Sequence, residues 1–349
     1  MRLRAALVAV PLIVLPMLAA AACSSSSSSS STSGSSGTET ASSSEAATLG
    51  PSVPAATAVA APVDASLLPT ASGAFGEKPT LTFPSTPAPP SLQRTILSEG
   101  TGPVTQKDDW LITNYLGQIW NGKVFDNSYD RGSTSAFQIG VGKVVPGWDV
   151  GLVGVPVGSR VLLSLPPADG YGSAGSSSAG IGGTDTIVFV VDVVQAIGPS
   201  AGGQTDATPQ PAPATGPQVA GALGVAPTVT IPAGTAEPTA PTVTVLATGT
   251  GAPITNGSVL SQYVAVTWTG ESAGSTWPSG ATDGSSGQGP QELPVAAGGP
   301  FANLVGVPLG SRLLVQVPAQ TDSSSGQSSG QSSPSIAAVV DLIAQTAKS

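Results

Sequence analysis

Val144-Val145-Pro146-Gly147-Trp148-Asp149-Val150-Gly151-Leu152 runs two residues of strand preference into a Pro-Gly turn and then into a short amphipathic segment. Pro146 suits the first turn of a helix, where its missing N–H would have no intrahelical partner anyway. Trp148 and Leu152 stand four apart and share one face if the segment is helical. Elsewhere after the leader the apolar pattern is that of strands: Leu92 to Leu97, Trp110 to Leu116, Val161 to Leu165 and Ile187 to Val194. Many strands and one short helix predict an α+β fold, an antiparallel sheet packed on that helix with Trp148 at the junction.

Composition narrows the chemistry. The 349 residues include 44 Gly and 33 Pro, only 9% charged residues, no His and one Cys, with a formal net charge of −9. That length allows two domains, and the Gly and Pro content argues against one large core. An acidic chain with no cluster of Lys or Arg offers no footprint for nucleic acid. Without His the commonest general base and metal ligand is missing, and one Cys forms neither an internal disulfide nor a thiolate-rich metal site. No metal and no cofactor are expected. A His-dependent triad is excluded, and with no nucleophile-elbow motif acyl transfer falls away too.

At the N-terminus Arg2 and Arg4 precede an apolar run, Ala5 to Ala19, that is short for a bilayer span and broken by Pro11 and Pro16. Small residues Ala20-Ala21-Ala22 then lead into Cys23, the chain's one cysteine. The arrangement resembles a bacterial lipoprotein signal, which implies a signal peptide over 1–22 and lipidation of Cys23, with the mature chain anchored to the outer face of the cell membrane. Cleavage would take Arg2 and Arg4 with it, moving the formal charge from −9 to −11. Ser24 to Ser31 is unbroken serine, and the polar composition that follows reads as a disordered tether over 23–72. With the richness in Gly, Ala and Pro, such a start is expected of a high-GC bacterium, as in actinobacteria.

An internal repeat with an offset of about 150 residues organises the remainder. Leu152-Val153-Gly154-Val155-Pro156-Val157-Gly158-Ser159-Arg160 returns as Leu304-Val305-Gly306-Val307-Pro308-Leu309-Gly310-Ser311-Arg312, and Gly100-Thr101-Gly102 as Gly249-Thr250-Gly251. The strand Ile187 to Val193 is echoed by Ile336 to Leu342, each with an Asp, Asp192 and Asp341, near its end. Two domains are expected, at 73–197 and 222–346, joined by a Pro/Gly/Ala-rich linker over 198–221.

The first domain carries an ordered set of motifs: Asn114-Tyr115-Leu116-Gly117, Val124-Phe125-Asp126-Asn127, Phe137-Gln138-Ile139-Gly140, Val144-Val145-Pro146-Gly147-Trp148 and Gly170-Tyr171-Gly172. In this order and spacing they resemble the FKBP family, the macrolide-binding peptidyl-prolyl cis-trans isomerases, over roughly 92–197. The resemblance implies a sheet half-wrapped around a short helix, present twice if the repeat is a second copy. It implies a prolyl pocket with Trp148 as floor and Tyr115, Phe125, Phe189, Val144 and Val145 as walls, with Phe137 in the same motif set. Asp126 falls on the family's acidic pocket residue. Tyr171 and the backbone N–H of Ile181 fall on groups that hold peptide carbonyls. One family aromatic, two residues before Phe137, is here Ser135. Asp126 is read either as orienting Tyr115 or as opposing the rotating carbonyl.

The chemistry suits residues without His or metal. Rotation about X–Pro crosses a barrier of roughly 18–20 kcal/mol set by amide resonance, and no covalent bond breaks. The expected activity is prolyl isomerisation assisting exported proteins that contain proline. Macrolides are the small ligands that the resemblance implies, and a non-catalytic Pro-peptide-binding module or envelope scaffold is the alternative. In the second copy Tyr115 is matched with Trp268, Phe125-Asp126 with Trp277-Pro278, Trp148 with Pro300 and Phe189 with Ala338, so that copy is expected to be inactive and structural.

Overall fold

A computed structural model of the chain describes residues 59–278, 287–298, 301–321 and 332–346. The expectations for the leader, Cys23, the serine run and Pro300 fall outside the described residues. The first half contains β1 (Thr70–Ala71), β2 (Leu81–Thr82), β3 (Gln93–Ser98), β4 (Trp110–Ile119), β5 (Val124–Asn127), β6 (Ser135–Gln138), α1 (Pro146–Gly151), β7 (Arg160–Leu165) and β8 (Ile187–Ile197). Its sheet runs β3-β7-β8-β4-β5, antiparallel throughout, with β6 added to β4. The helix is where the Pro-Gly-Trp stretch places it. Val145 is its N-cap, Pro146 opens it, and the Leu152 N–H closes it on the Trp148 carbonyl at 3.1 Å.

An ordinary antiparallel sheet with one wet face alternates buried and exposed residues, whereas all six residues of β7 are buried. Both faces are covered. On one side α1 packs with Leu111, Trp148, Leu152, Val161, Leu163, Leu165, Val191 and Val193. On the other, β1 and β2 form a hairpin whose Leu81 joins Leu116, Leu162, Val188 and Val190. The expected tether over 23–72 therefore needs correction at its end. Residues 65–67 form a 3-10 turn, β1 pairs with β2, Leu68 is buried, and the Val63 N–H bonds the Gln93 side chain at 3.1 Å. A few apolar residues and backbone partners are enough to order this stretch against the sheet.

The second half contains β9 (Thr208–Pro209), β10 (Gln218–Ala220), β11 (Thr228–Thr230), β12 (Thr242–Thr248), β13 (Gly257–Thr267), β14 (Ser272–Ser275), β15 (Gln291–Val295), β16 (Arg312–Val317), β17 (Gln320–Thr321), β18 (Ser332–Ser333) and β19 (Ile336–Gln345). Starting at β12, the sheet order β12-β16-β19-β13-β14, with β15 on β13, is that of β3-β7-β8-β4-β5 with β6 on β4. A hairpin of β10 and β11 precedes it, as β1 and β2 precede the first sheet. Among the described residues of the stretch that matches α1, a 3-10 turn forms at Ala302–Leu304. The expected linker 198–221 contributes β9 to the edge of the second sheet and β10 to its hairpin, and Ala207 is buried. Ile112 and Ile197 of the first half meet Leu260 and Ala344 of the second in one buried cluster.

Strand register corrects two equivalences drawn from the sequence. Asn114 pairs with Asp192, and Gln262 with Asp341. Tyr115 therefore corresponds to Tyr263, not Trp268, and Trp268 corresponds to Trp120. Likewise Gly117 faces Asp126 while Ala265 faces Gly274, so Phe125-Asp126 corresponds to Ala273-Gly274 rather than to Trp277-Pro278. The match of Phe189 with Ala338 agrees with the register, since each faces the corresponding residue of the neighbouring strands.

The repeated Gly-Ser-Arg phrase has a structural reason. Arg160 Nε donates to Asp192 Oδ1 at 2.6 Å and Arg312 Nε to Asp341 Oδ1 at 2.6 Å, both pairs buried. Each guanidinium also holds the preceding hairpin: Arg160 bonds the carbonyls of Gly73 and Glu77, and Arg312 those of Ala222 and Val225. Removing one partner leaves a charge buried without compensation, so Asp192→Ala should cost about 3–5 kcal/mol, read as a lowered midpoint in urea unfolding. A loss below about 1 kcal/mol would mean that water reaches Arg160.

Candidate active site

Alternation along β4 turns Tyr115 toward α1, and β5 carries Phe125 and Asp126 beside it. Gly117 is glycine for a packing reason. A Cβ built there would lie 2.6 Å from Phe125 Cζ and 2.7 Å from Phe189 Cε1, so the two rings occupy the space of a side chain. Helix α1 brings Trp148 to the centre of the cluster. Its ring meets Phe137 at 5.0 Å, Phe189 at 5.1 Å and Tyr115 at 5.5 Å between centroids, all edge-to-face. Phe125 meets Phe189 in the same way at 5.6 Å. Edge-to-face contacts place the positive rim of one ring on the negative face of the next, and each contributes about 0.5–1.5 kcal/mol beyond area burial.

Trp148, Tyr115, Val145, Ile181 and Phe189 are buried, with Phe125, Phe137, Val144 and Tyr171 half-buried against them. Asp126 joins through the Tyr115 hydroxyl, which donates to its carboxylate. All ten residues singled out in the sequence are thus brought together. The Trp148 indole N–H is buried with no hydrogen-bond partner among the described residues, as in an apolar floor.

One residue was missed. Arg131 pairs with the second carboxylate oxygen of Asp126, donates to the Tyr115 hydroxyl at 2.8 Å and lies 5.3 Å from the Tyr115 ring centroid. It also reaches Ser135 Oγ at 3.3 Å, so the position lacking the family aromatic is polar and next to a cation. Its one sequence signal is a basic residue five after Asp126 in a loop. Another expectation changes. The Ile181 side chain joins the cluster, but its N–H donates to the Ser176 carbonyl at 2.9 Å, and the Ser176 N–H returns to Ile181 at 2.9 Å. That N–H is spent within its own loop. The Val145 N–H, just ahead of α1, donates to no group among the described residues.

The electrostatics keep the site neutral where it is apolar. Burial first, then the adjacent Asp126 carboxylate, pushes the Tyr115 phenol far above its ordinary range, against the Arg131 charge. Tyr171 is raised by burial and by the Asp126 charge. Burial works against the Arg131 charge, and contact with Tyr115 and Asp126 outweighs it, so Arg131 stays cationic. No nucleophile is paired with a base here. An aromatic floor with a few fixed polar groups at its rim binds an apolar ring and favours one backbone geometry over another, which isomerisation requires.

All four tyrosines of the chain are raised by burial: Tyr115, Tyr129, Tyr171 and Tyr263. The folded state holds phenol protons that an unfolded chain releases near pH 10, so stability is full below about pH 10 and falls as pH rises above it. Tyrosinate absorbance is therefore expected to rise at higher pH in the folded protein than in the unfolded chain, whose phenols titrate near pH about 10. A rise in the folded protein as early as in the unfolded chain would contradict this burial.

The family description "FKBP-type peptidyl-prolyl cis-trans isomerase" matches residues 102–194. The FK506-binding protein of Streptomyces anulatus is 38% identical over 119 residues, which are 34% of this chain and 96% of that protein. FK506-binding protein 1 of Debaryomyces hansenii is 46% identical over 89 residues, 25% of this chain and 80% of that one. The crystal structure of AtFKBP13 matches at 34% identity over 31% of this chain and 94% of that one, with a TM-score of 0.28. The half of the chain that carries the aromatic cluster thus shares its sequence with proteins of one kind, and the chain belongs to the FKBP-type peptidyl-prolyl cis-trans isomerases.

Proposed function

We propose that the cluster on Trp148 is the prolyl site, and that this isomerase acts on proline-containing exported proteins at the outer face of the cell membrane. The observation that carries the site is the ring of Trp148, buried at the centre of the edge-to-face contacts and bordered by one fixed carboxylate. The prolyl ring lies on Trp148 between Phe125, Phe137, Val145 and Phe189. Twisting the amide withdraws the nitrogen lone pair from the carbonyl carbon, which becomes more electron-poor. Asp126, held by Tyr115 and Arg131, places negative charge at the rim where that deficit develops. Such a charge stabilises the twisted state more than the planar one, without reorganising during the step. Tyr171 and the unpaired Val145 N–H, in place of Ile181, hold the peptide carbonyls. Macrolides such as FK506 would occupy the same apolar floor.

The second sheet is read as a degenerate copy with a structural role. Its strand order, its buried Arg312–Asp341 pair and Tyr263 in the register of Tyr115 support common design. Gly274, Ala338 and Leu293 stand where Asp126, Phe189 and Phe137 stand in the first, and a 3-10 turn forms in the stretch that matches α1. Among the described residues, that leaves no carboxylate and no aromatic at these three positions. The lipoprotein-like start and Cys23 support anchoring, since two or three acyl chains hold a protein on a bilayer where one does so only marginally.

Two measurements test these readings. Asp126→Ala should lower kcat/KM for a prolyl peptide by at least about tenfold, while macrolide binding, followed by Trp148 fluorescence, persists. Unchanged turnover removes Asp126 from the mechanism. Cys23→Ser should move the expressed chain from the membrane fraction to the soluble one, and retention in the membrane would refute lipid anchoring through that residue.

A further inference from the structure

The hairpin of β1 and β2 lies outside residues 102–194, the part matched by the family, yet it is wired to the active-site loop. Its tip is fastened by Arg160, whose Nη1 donates to the Gly73 carbonyl at 2.7 Å and Nη2 to the Glu77 carbonyl at 2.6 Å. The Gly76 N–H donates to Asp192 Oδ2 at 2.7 Å. That same oxygen accepts the Tyr129 hydroxyl at 2.9 Å, and Arg160 Nη2 donates to that hydroxyl at 3.3 Å. Tyr129 sits in the loop between β5 and β6, two residues before Arg131. The next residue is fastened from the hairpin directly: Lys78 Nζ reaches both Asp130 oxygens at 2.7 Å. Within the loop, Asn127 and Asp130 close on each other, side chain to side chain at 2.9 Å and backbone N–H to side chain at 2.7 Å.

Arg131 follows at once. Its guanidinium is half-exposed, and its side-chain partners among the described residues are Asp126, Tyr115 and Ser135. The position from which it reaches Asp126 is therefore set by the backbone that Tyr129 and Asp130 hold. We propose that the hairpin 70–82 positions the active site, acting through Tyr129 and the Lys78–Asp130 pair to fix Arg131 and, through it, the Asp126 carboxylate. Tyr129, Lys78 and Asp130 are positioning residues, and this role rests on the reading of Asp126 given above.

The second sheet supplies the contrast. There too the Arg–Asp pair grips the preceding hairpin, and the Gly203 N–H bonds Asp341 at 2.9 Å. In the register of Tyr129, however, stands Trp277, a buried ring packed with Val229, Val264 and Leu314. No ion pair joins that hairpin to its loop among the described residues. The fastening of hairpin to sheet occurs twice. Its polar extension into the loop occurs where the loop must aim a cation at a carboxylate.

The test measures kcat, KM and the thermal midpoint in the full chain for Tyr129→Phe, Lys78→Glu, Asp130→Lys and the double variant Lys78→Glu/Asp130→Lys, with Asp126→Ala alongside. Lys78 and Asp130 are exposed and Phe keeps the ring of Tyr129, so each variant is expected to fold. Each single substitution should lower kcat by about threefold with KM within about twofold, and the charge-swapped double variant should recover most of the loss. If Asp126→Ala is impaired while the single variants keep wild-type kcat and only the midpoint moves, the hairpin is a structural staple and the inference is overturned. Recovery of the midpoint without recovery of kcat in the double variant overturns it equally. Full activity in Asp126→Ala would instead strike at the prolyl-site reading, and the positioning role would fall with it.

Discussion

The close approach of α1 to β7 is the constraint on which the site depends. Gly147 and Gly151 face the sheet, and a Cβ on either would lie 2.5 Å from Leu165 or 2.8 Å from Leu163. No side chain fits between helix and strand, so the helix axis lies close to the sheet. The Trp148 ring is thereby pressed among Tyr115, Phe137 and Phe189. The loop before the helix is drawn in by the same element, because Asp149 accepts the N–H groups of Gly140 and Gly142 at 2.9 and 2.5 Å. A six-residue helix has little stability of its own. It exists because its buried face completes a core, and the rigidity with which Trp148 is held is the rigidity of that core.

The buried Arg160–Asp192 and Arg312–Asp341 pairs solve a different problem. Two charges in a dry interior lose much hydration, and apolar residues of similar volume are often as stabilising or more so. What an apolar pair cannot do is bind carbonyls. Each arginine spends its remaining donors on the backbone of a hairpin whose own strands are only two or three residues long. Such short strands carry too few ladder bonds to fix their own position. The ion pair therefore specifies where the hairpin lies, and the hairpin covers the face of the sheet that α1 leaves open.

Much of this was legible in the sequence, for reasons that differ by element. Pro146-Gly147-Trp148 announced the helix because Pro and Gly act locally on backbone angles. The strands announced themselves by apolar periodicity. Eight of the ten candidate residues lie in the five ordered motifs, and Phe189 and Ile181 follow from the resemblance those motifs carry, since no single aromatic distinguishes core from pocket. The second half misled because two tryptophans were matched by type. Register decides equivalence, and it is set by long-range pairing with β19 and by bulges, at Leu260/Ser261 against β19 and at Ala265/Val266 against β14. The Ile181 N–H was misjudged because spacing places a residue but does not reveal which backbone groups its own loop has already paired. Arg131 and Lys78 gave no periodic signal, since their partners are 5 and 52 residues away, Asp126 in β5 and Asp130 in the loop that follows.

The same register shows how the two halves differ as sets of residues. In the first sheet Gly117 has no side chain because Phe125 and Phe189 fill its space. In the second the corresponding residues are Ala265, Ala273 and Ala338. Without those rings there is room beside the strand, and a methyl group at 265, itself buried, takes up part of it. With that methyl present, a phenyl ring placed at 338 or 273 would meet it at the distances that Gly117 avoids. Each residue thus excludes the alternatives at the others, and building the same cluster in the second sheet would require the glycine and both aromatics together with a carboxylate at Gly274. Gly274 has φ +115°, a backbone conformation that an aspartate adopts only with strain. The aromatic cluster on Trp148 is in this sense a single packing arrangement, which a sheet of the same topology either holds whole or does not hold.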